Sequence, residues 1–498
     1  MKTLSTILLT FLIGSTISAK AARTIPHTPE AIATILEIKA SMPDDWTYLG
    51  MLKPKATTEI NYSLLGVGGE TLGRDFADFH AYKKYLAPLG AKRLRLQSGW
   101  AKTEKERGVY AFAWLDAIID GAIERGLDPW LELSYGNLIY PDAGGTGLGE
   151  GLPKSEEGLA AWDRYVEKAV KHFADRVTYY EIWNEADLNH RGKGEVTKEM
   201  DQEYARLFVR TAEIVRREDP DAFIVGYALA GVGRSETVEV FMEYLKEQNK
   251  VHLLDGFSFH GYPQNPDHNF DHVARLRATM DKYNPGIVLW QGETGAPSAK
   301  QPQFALRDLD WTELSQAKWN TRRALAHIGR GIPYSQFQIS DMYYKQTTRN
   351  TLNTKGLLKT NPDNSVDRPK LAYFAYQNTC SFFNDGITPA GTVDGIESAH
   401  MNLSTFSFTH AVNGRKAFAI WDNSGRPDES MDRTPIELTI PEFRISNPVY
   451  IDIISGAVYD IPKAHINFYG NTASLKNIPI WDAPVVVSDR SLVNLLNN

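Results

Sequence analysis

Two stretches of the chain end a buried-strand pattern on a carboxylate. In RVTYYEIWNEADL (residues 176–188) an apolar run leads straight into Asn184 and Glu185, and in GIVLWQGETGAPS (residues 286–298) a second run leads into Glu293 just before a glycine. A carboxylate at the end of an otherwise apolar strand is costly unless it is paired or used. If the strands share a mouth, two such groups can act on one bond from opposite sides, one giving a proton and the other attacking or stabilising positive charge. Period-two alternation puts Glu181, Trp183 and Glu185 on one face and Tyr180, Ile182 and Asn184 on the other. Glu181 then lies deeper than Glu185 and reads as a buried acid paired with an arginine such as Arg93 or Arg95.

The elements that must carry these residues alternate regularly. Strands are expected over 61–66, 91–97, 128–135, the run up to Glu185, 222–228, 254–260, the run up to Glu293, and 333–340. Helices are expected over 74–89, 113–125, 156–174, 198–217, 237–248, 271–283, 314–328 and 369–383. The third of these has Ser155 as N-cap and an apolar stripe at Leu159, Trp162, Val166, Val170 and Phe173, the spacing of a helix lying on a sheet. Eight alternations favour the α/β class and a closed (β/α)8 TIM barrel over a doubly wound sheet. The turn GVGGET does not spell a dinucleotide fingerprint, whereas the long glycine-rich stretch GNLIYPDAGGTGLGEGLP suits a loop shaped around a ligand. Beyond residue 385 short alternating runs such as KAFAIWDN and APVVVSD, broken by Gly, Pro, Asn and Asp, predict a C-terminal antiparallel β-sandwich. The partition is a leader over 1–21, an N-terminal segment over 22–58, a barrel over 59–384 and a sandwich over 385–498.

Trp183-Asn184-Glu185 after a strand, followed by a second strand-end acid at Glu293, resembles the retaining glycoside hydrolases of clan A. Family 39 is the most similar in pattern and family 5 the next, and the resemblance covers residues 61–384. It implies Glu185 as acid/base and Glu293 as nucleophile, about 5–5.5 Å apart in retaining enzymes. It also implies Asn184 on the sugar 2-hydroxyl, and His260 and Tyr262 of FSFHGYP as a strand-six pair whose tyrosine meets the nucleophile. Arg95 would lie beneath the site, binding either Glu293 or Glu181. Trp100, Tyr135, Trp183 and Trp290 are the rings that could serve as sugar platforms. Ala186 stands where many relatives have proline, and IPYSQFQISDMYYK has no tryptophan where many relatives place one, leaving Gln338, Asp341 or Tyr343 for that position. The N-terminal segment is expected to pack on the sandwich or add a strand to it. The expected activity is double-displacement cleavage of β-glycosides, β-xylosidase-like or related; the alternative is a barrel that binds carbohydrate without turning it over.

Composition narrows the partners. The 498 residues carry a net charge of −7 with 42% apolar and 11% aromatic residues, which supports large cores and gives no reason to expect nucleic acid or an anionic membrane. A neutral carbohydrate is the simpler partner. Lys2, the apolar run that follows and Ala19-Lys20-Ala21 read as a secretory signal peptide, implying a periplasmic or secreted protein, and no stretch is long enough to span a membrane. Cys380 is the single cysteine, so no intramolecular disulfide forms. No cofactor and no metal are expected: His268 and His272 lack a third ligand, and HExxH and GxSxG are absent. The oligomeric state is left open.

Overall fold

A computed structural model describes residues 24–188, 198–346, 349–392, 402–440, 445, 447–470 and 472–496. The leader expected over 1–21 lies outside the described residues. Eight parallel strands close into a barrel: Leu65–Gly68, Arg93–Gln97, Asp128–Leu133, Tyr179–Ile182, Phe223–Leu229, Gly256–His260, Val288–Thr294 and Tyr334–Gln336. The first and last pair in parallel through Leu65↔Tyr334, which shuts the ring. The C-terminal ends of all eight strands therefore open on one mouth, the place where such barrels keep their chemistry.

The outer helices form where the apolar stripes predicted them. Ser155 caps Glu156–Phe173 by accepting from the Gly158 amide, and Trp162, Val166, Val170 and Phe173 of that helix are fully buried against the barrel. The helix expected over 74–89 is instead broken into a 3-10 turn and three short pieces. Positive φ at Asp75 breaks it near its start, and Pro88, inside the last piece Leu86–Leu89, has no amide to bond back to the preceding turn. Two antiparallel hairpins, Met342–Gln346 with Arg349–Asn353 and Leu358–Thr360 with Val366–Pro369, follow the eighth strand and were not anticipated.

Beyond the barrel, a seven-stranded antiparallel sheet and a three-stranded one face each other over a shared apolar core that includes Phe418, Tyr450, Ile436 and Leu475. The N-terminal strand Thr47–Met51 joins the larger sheet by pairing with Ala457–Asp460. The barrel and this region are tied by Asp267, which meets Arg322 on one side and Ser404 and Trp421 on the other. Among the described residues no helix is long and apolar enough to cross a membrane.

Candidate active site

The fourth strand ends at Ile182, earlier than simple alternation requires. Trp183 and Glu185 both take positive φ, 64° and 48°, which turns the chain out of the pleat. The Trp183 amide is held by Leu133 O and the Glu185 amide by Ala228 O, at 3.0 Å each, so the neighbouring strands fix the turn. As a result Glu181 and Asn184, on opposite faces of an ideal strand, both reach Arg95, at 2.7 and 2.9 Å.

Glu293 is placed by a different device. The sixth and seventh strands slip register so that His260 stands opposite Glu293. Gly292 sits at the slip, where a Cβ would come within 2.2 Å of Ser258 Oγ and 3.2 Å of His260. Only glycine leaves room there for the Ser258 and His260 side chains. Glu185 and Glu293 consequently meet across the mouth: one oxygen of each, together with a His260 ring nitrogen, lies within 4.8 Å of the others. His260 Nδ1 is 2.8 Å from Glu185 Oε1, and the Tyr262 hydroxyl donates to Glu293 Oε1 at 2.6 Å.

Below them Arg95 gathers four carboxylates. Its guanidinium meets Glu70 at 3.0 Å, Glu181 at 2.7 Å, Glu293 at 3.3 Å, and Glu132. One cation cannot neutralise so many buried acids, and burial pushes Glu70 up to about 8 and Glu132 up to about 7 despite Arg95. At neutral pH these two hold protons for much of the time. Glu185 and Glu293 keep 10% and 14% of their side-chain surface open, whereas Glu70 keeps 2% and Glu132 and Glu181 none. Only the first pair is within reach of a substrate.

Burial lowers the His260 ring to about 4, so it is neutral at ordinary pH, and its Nδ1 can donate to an ionised Glu185 or accept from a protonated one. Tyr262 is pushed well above 10 by burial and by Glu293, which keeps its hydroxyl proton in place. Asn184 donates one amide hydrogen to the Tyr135 hydroxyl at 2.9 Å and accepts from Arg95; its second amide hydrogen has no partner among the described residues.

The tryptophans fall elsewhere. Trp100 is fully buried and donates to Glu104, Trp183 packs edge-on to Trp162, and Trp290 packs at a tilt against Trp130 with ring centroids 4.6 Å apart. None of the three offers an exposed ring face to a ligand; of the predicted platforms Trp100 and Tyr135 both border a cleft shared with Arg74 and Gln97, but Trp100 is itself fully buried. Asp341, anticipated near the eighth strand's exit, is instead paired with Lys370 at 2.7 Å. Glu70, Glu132, Arg74 and Lys355 were not anticipated.

Residues 95–285 match the sequence model described as glycosyl hydrolases family 39. This segment is similar to that family. It carries Glu185, His260 and Tyr262 and stops short of Glu293, whose place rests on the geometry above. The chain is 25% identical over 278 residues to a beta-xylosidase of Caldicellulosiruptor saccharolyticus, covering 51% of this chain and 50% of that one. It is 26% identical over 218 residues to a beta-xylosidase of Geobacillus stearothermophilus, covering 41% and 40%. The chain thus spans half or less of these relatives. A family 39 glycoside hydrolase from Bacteroides cellulosilyticus WH2 has a similar structure, with a TM-score of 0.62, 18% identity, and coverage of 86% and 81% of the two chains; at that identity the likeness concerns the fold.

Proposed function

We propose that this protein is a retaining β-glycoside hydrolase acting by double displacement, with β-xylosides as the first substrates to try. The observation that carries the reading is the approach of Glu185 and Glu293 oxygens to within 4.8 Å. That leaves room for one anomeric centre, in keeping with the roughly 5–5.5 Å of retaining enzymes and short of the roughly 6.5–9.5 Å that an inverting water needs.

In the first step Glu293 attacks the anomeric carbon, the bond to the leaving oxygen breaks, and Glu185 delivers its proton to that oxygen. In the second, Glu185 takes a proton from water, whose oxygen displaces Glu293 and frees the sugar with its original configuration. Tyr262 and Arg95 hold the attacking carboxylate, and the neutral His260 orients Glu185. The free Asn184 amide hydrogen is positioned for the sugar 2-hydroxyl, a contact that strengthens in the transition state.

Replacement of Glu293 by alanine is the test. Loss of turnover, with azide restoring it and giving a glycosyl azide of inverted configuration, supports the assignment. Near-normal turnover by Glu293→Ala would remove it.

A further inference from the structure

The mouth contains two cations that the double displacement does not need. Lys355, just before the hairpin Leu358–Thr360, is 2% exposed. Its Nζ makes no hydrogen bond and has no carboxylate within 4.0 Å among the described residues; it lies 5.4 Å from the Tyr262 ring and 5.8 Å from the Phe304 ring. Three other buried cations do meet a carboxylate, Lys318 with Asp482, Arg322 with Asp267 and Lys370 with Asp341, while Arg323 meets the backbone carbonyls of Pro266 and His268. Arg74 likewise has no carboxylate partner among the described residues. It donates to Gln97 at 3.3 Å, its buried Nε has no partner, and it lies 5.1 Å from the Tyr135 ring and 5.3 Å from the Phe76 ring.

Three half-buried rings connect the two cations. Phe76 and Tyr344 are 5.1 Å apart, and Tyr344 and Phe304 4.9 Å. The row has Arg74 at one end and Lys355 at the other, and each cation also faces a ring that touches the candidate site, Tyr135 through Asn184 and Tyr262 through Glu293.

Burial alone brings the Lys355 ammonium down to about 7, with Glu293 the only charge supporting it. An unpaired buried cation is costly. Beside the nucleophile it also opposes the positive charge that develops on the sugar in the transition state. Both penalties are relieved if the substrate brings its own negative group. Aromatic faces flanked by cations are suited to a pyranose that carries an anion.

Resting on the glycosidase reading above, we propose that the Phe76–Tyr344–Phe304 row with Arg74 and Lys355 is a subsite for an anionic sugar, one bearing a carboxylate or a sulfate ester. This revises the neutral partner inferred from the overall charge of −7, because binding answers to the local field and not to the sum.

The test is titration calorimetry on full-length protein carrying Glu293→Gln, so that ligands are bound and not cleaved. Two matched pairs are used: a uronic-acid-bearing xylo-oligosaccharide with its carboxyl-reduced form, and a sulfated oligosaccharide with its desulfated form. The anionic member of one pair is expected to bind at least tenfold tighter at low salt, with the gap narrowing as salt rises. Lys355→Met and Arg74→Gln, each added to Glu293→Gln, are expected to shrink the gap, and the pair that shows it identifies the anion. Equal affinities within both pairs, or no binding of either anionic member, would overturn the subsite without reference to the two variants. Wild-type turnover of neutral aryl glycosides alongside equal affinities would defeat this inference alone; absence of any turnover would instead defeat the glycosidase reading.

Discussion

The Tyr262 hydroxyl stands 2.6 Å from Glu293 Oε1, and burial keeps its proton fixed. Tyr262 is therefore a donor to the proposed nucleophile, and under double displacement the bond would loosen as Glu293 commits its electrons to the anomeric carbon. Tyr262→Phe should lower kcat by roughly 10- to 100-fold, at or below the cost of deleting one preorganised donor. The fold should hold, since the ring remains. Steady-state kinetics beside a thermal melt checks this; unchanged kcat with a lowered Tm would make Tyr262 a packing residue only.

Glu185 is expected to matter in proportion to how much help the leaving group needs. Glu185→Gln should cost roughly 10²- to 10⁴-fold on an unactivated disaccharide, the span of general acid catalysis. On a dinitrophenyl glycoside, whose leaving group departs without a proton, the first step should be nearly intact and the second slow. A pre-steady-state burst of dinitrophenolate reads this directly. Equal losses on both substrates would take the proton-transfer role away from Glu185.

Much of this site was legible because strand-end carboxylates break an apolar pattern: Glu185 and Glu293 announce themselves in EIWNEAD and WQGETG. The Arg95–Glu181 pair was legible for the same reason, being charges in a run that burial otherwise dictates. Glu70 and Glu132 were missed because each looks ordinary locally, Glu70 inside a glycine-rich turn and Glu132 in a strand read for its apolar residues; only barrel closure brings them to one guanidinium. The tryptophans erred in the opposite direction. Trp100 and Trp290 have the right residue type near the right strands, but whether a ring faces the mouth or the core is settled by the barrel's interior packing, which no single strand records. The break at Trp183 was invisible because positive φ at a bulky residue has no sequence signature.

The Glu185, His260 and Glu293 donor atoms lie within 4.8 Å of one another, a spacing that a divalent ion also accepts. Double displacement needs both carboxylates free, so such an ion would compete with catalysis. Turnover should be unaffected by EDTA, and Zn²⁺ in the micromolar to millimolar range should inhibit competitively with substrate. Loss of activity on chelation, restored by a stoichiometric metal, would contradict this.

The crowding of acids around Arg95 should also shape stability. Glu70 titrates near 8 in the folded protein against an ordinary 4.5. Between those values the folded state holds a proton that the unfolded chain has released, so this group's contribution is full below about pH 4.5 and is lost as pH rises towards 8. Glu132, raised to about 7, acts in the same sense. His260, lowered from 6.5 to about 4, adds stability as pH rises between those values, and Lys355, lowered from 10.5 to about 7, does so above 7. A wild-type profile alone would mix these signs, and comparison with Glu70→Gln separates them. The amide keeps an oxygen for Arg95 and has no proton to lose. Its Tm relative to wild type should therefore climb by roughly a few degrees from pH 5 to pH 8. A difference that stays flat across that window would show that Glu70 is not protonated in the folded protein, and that the charge around Arg95 is balanced by some other arrangement.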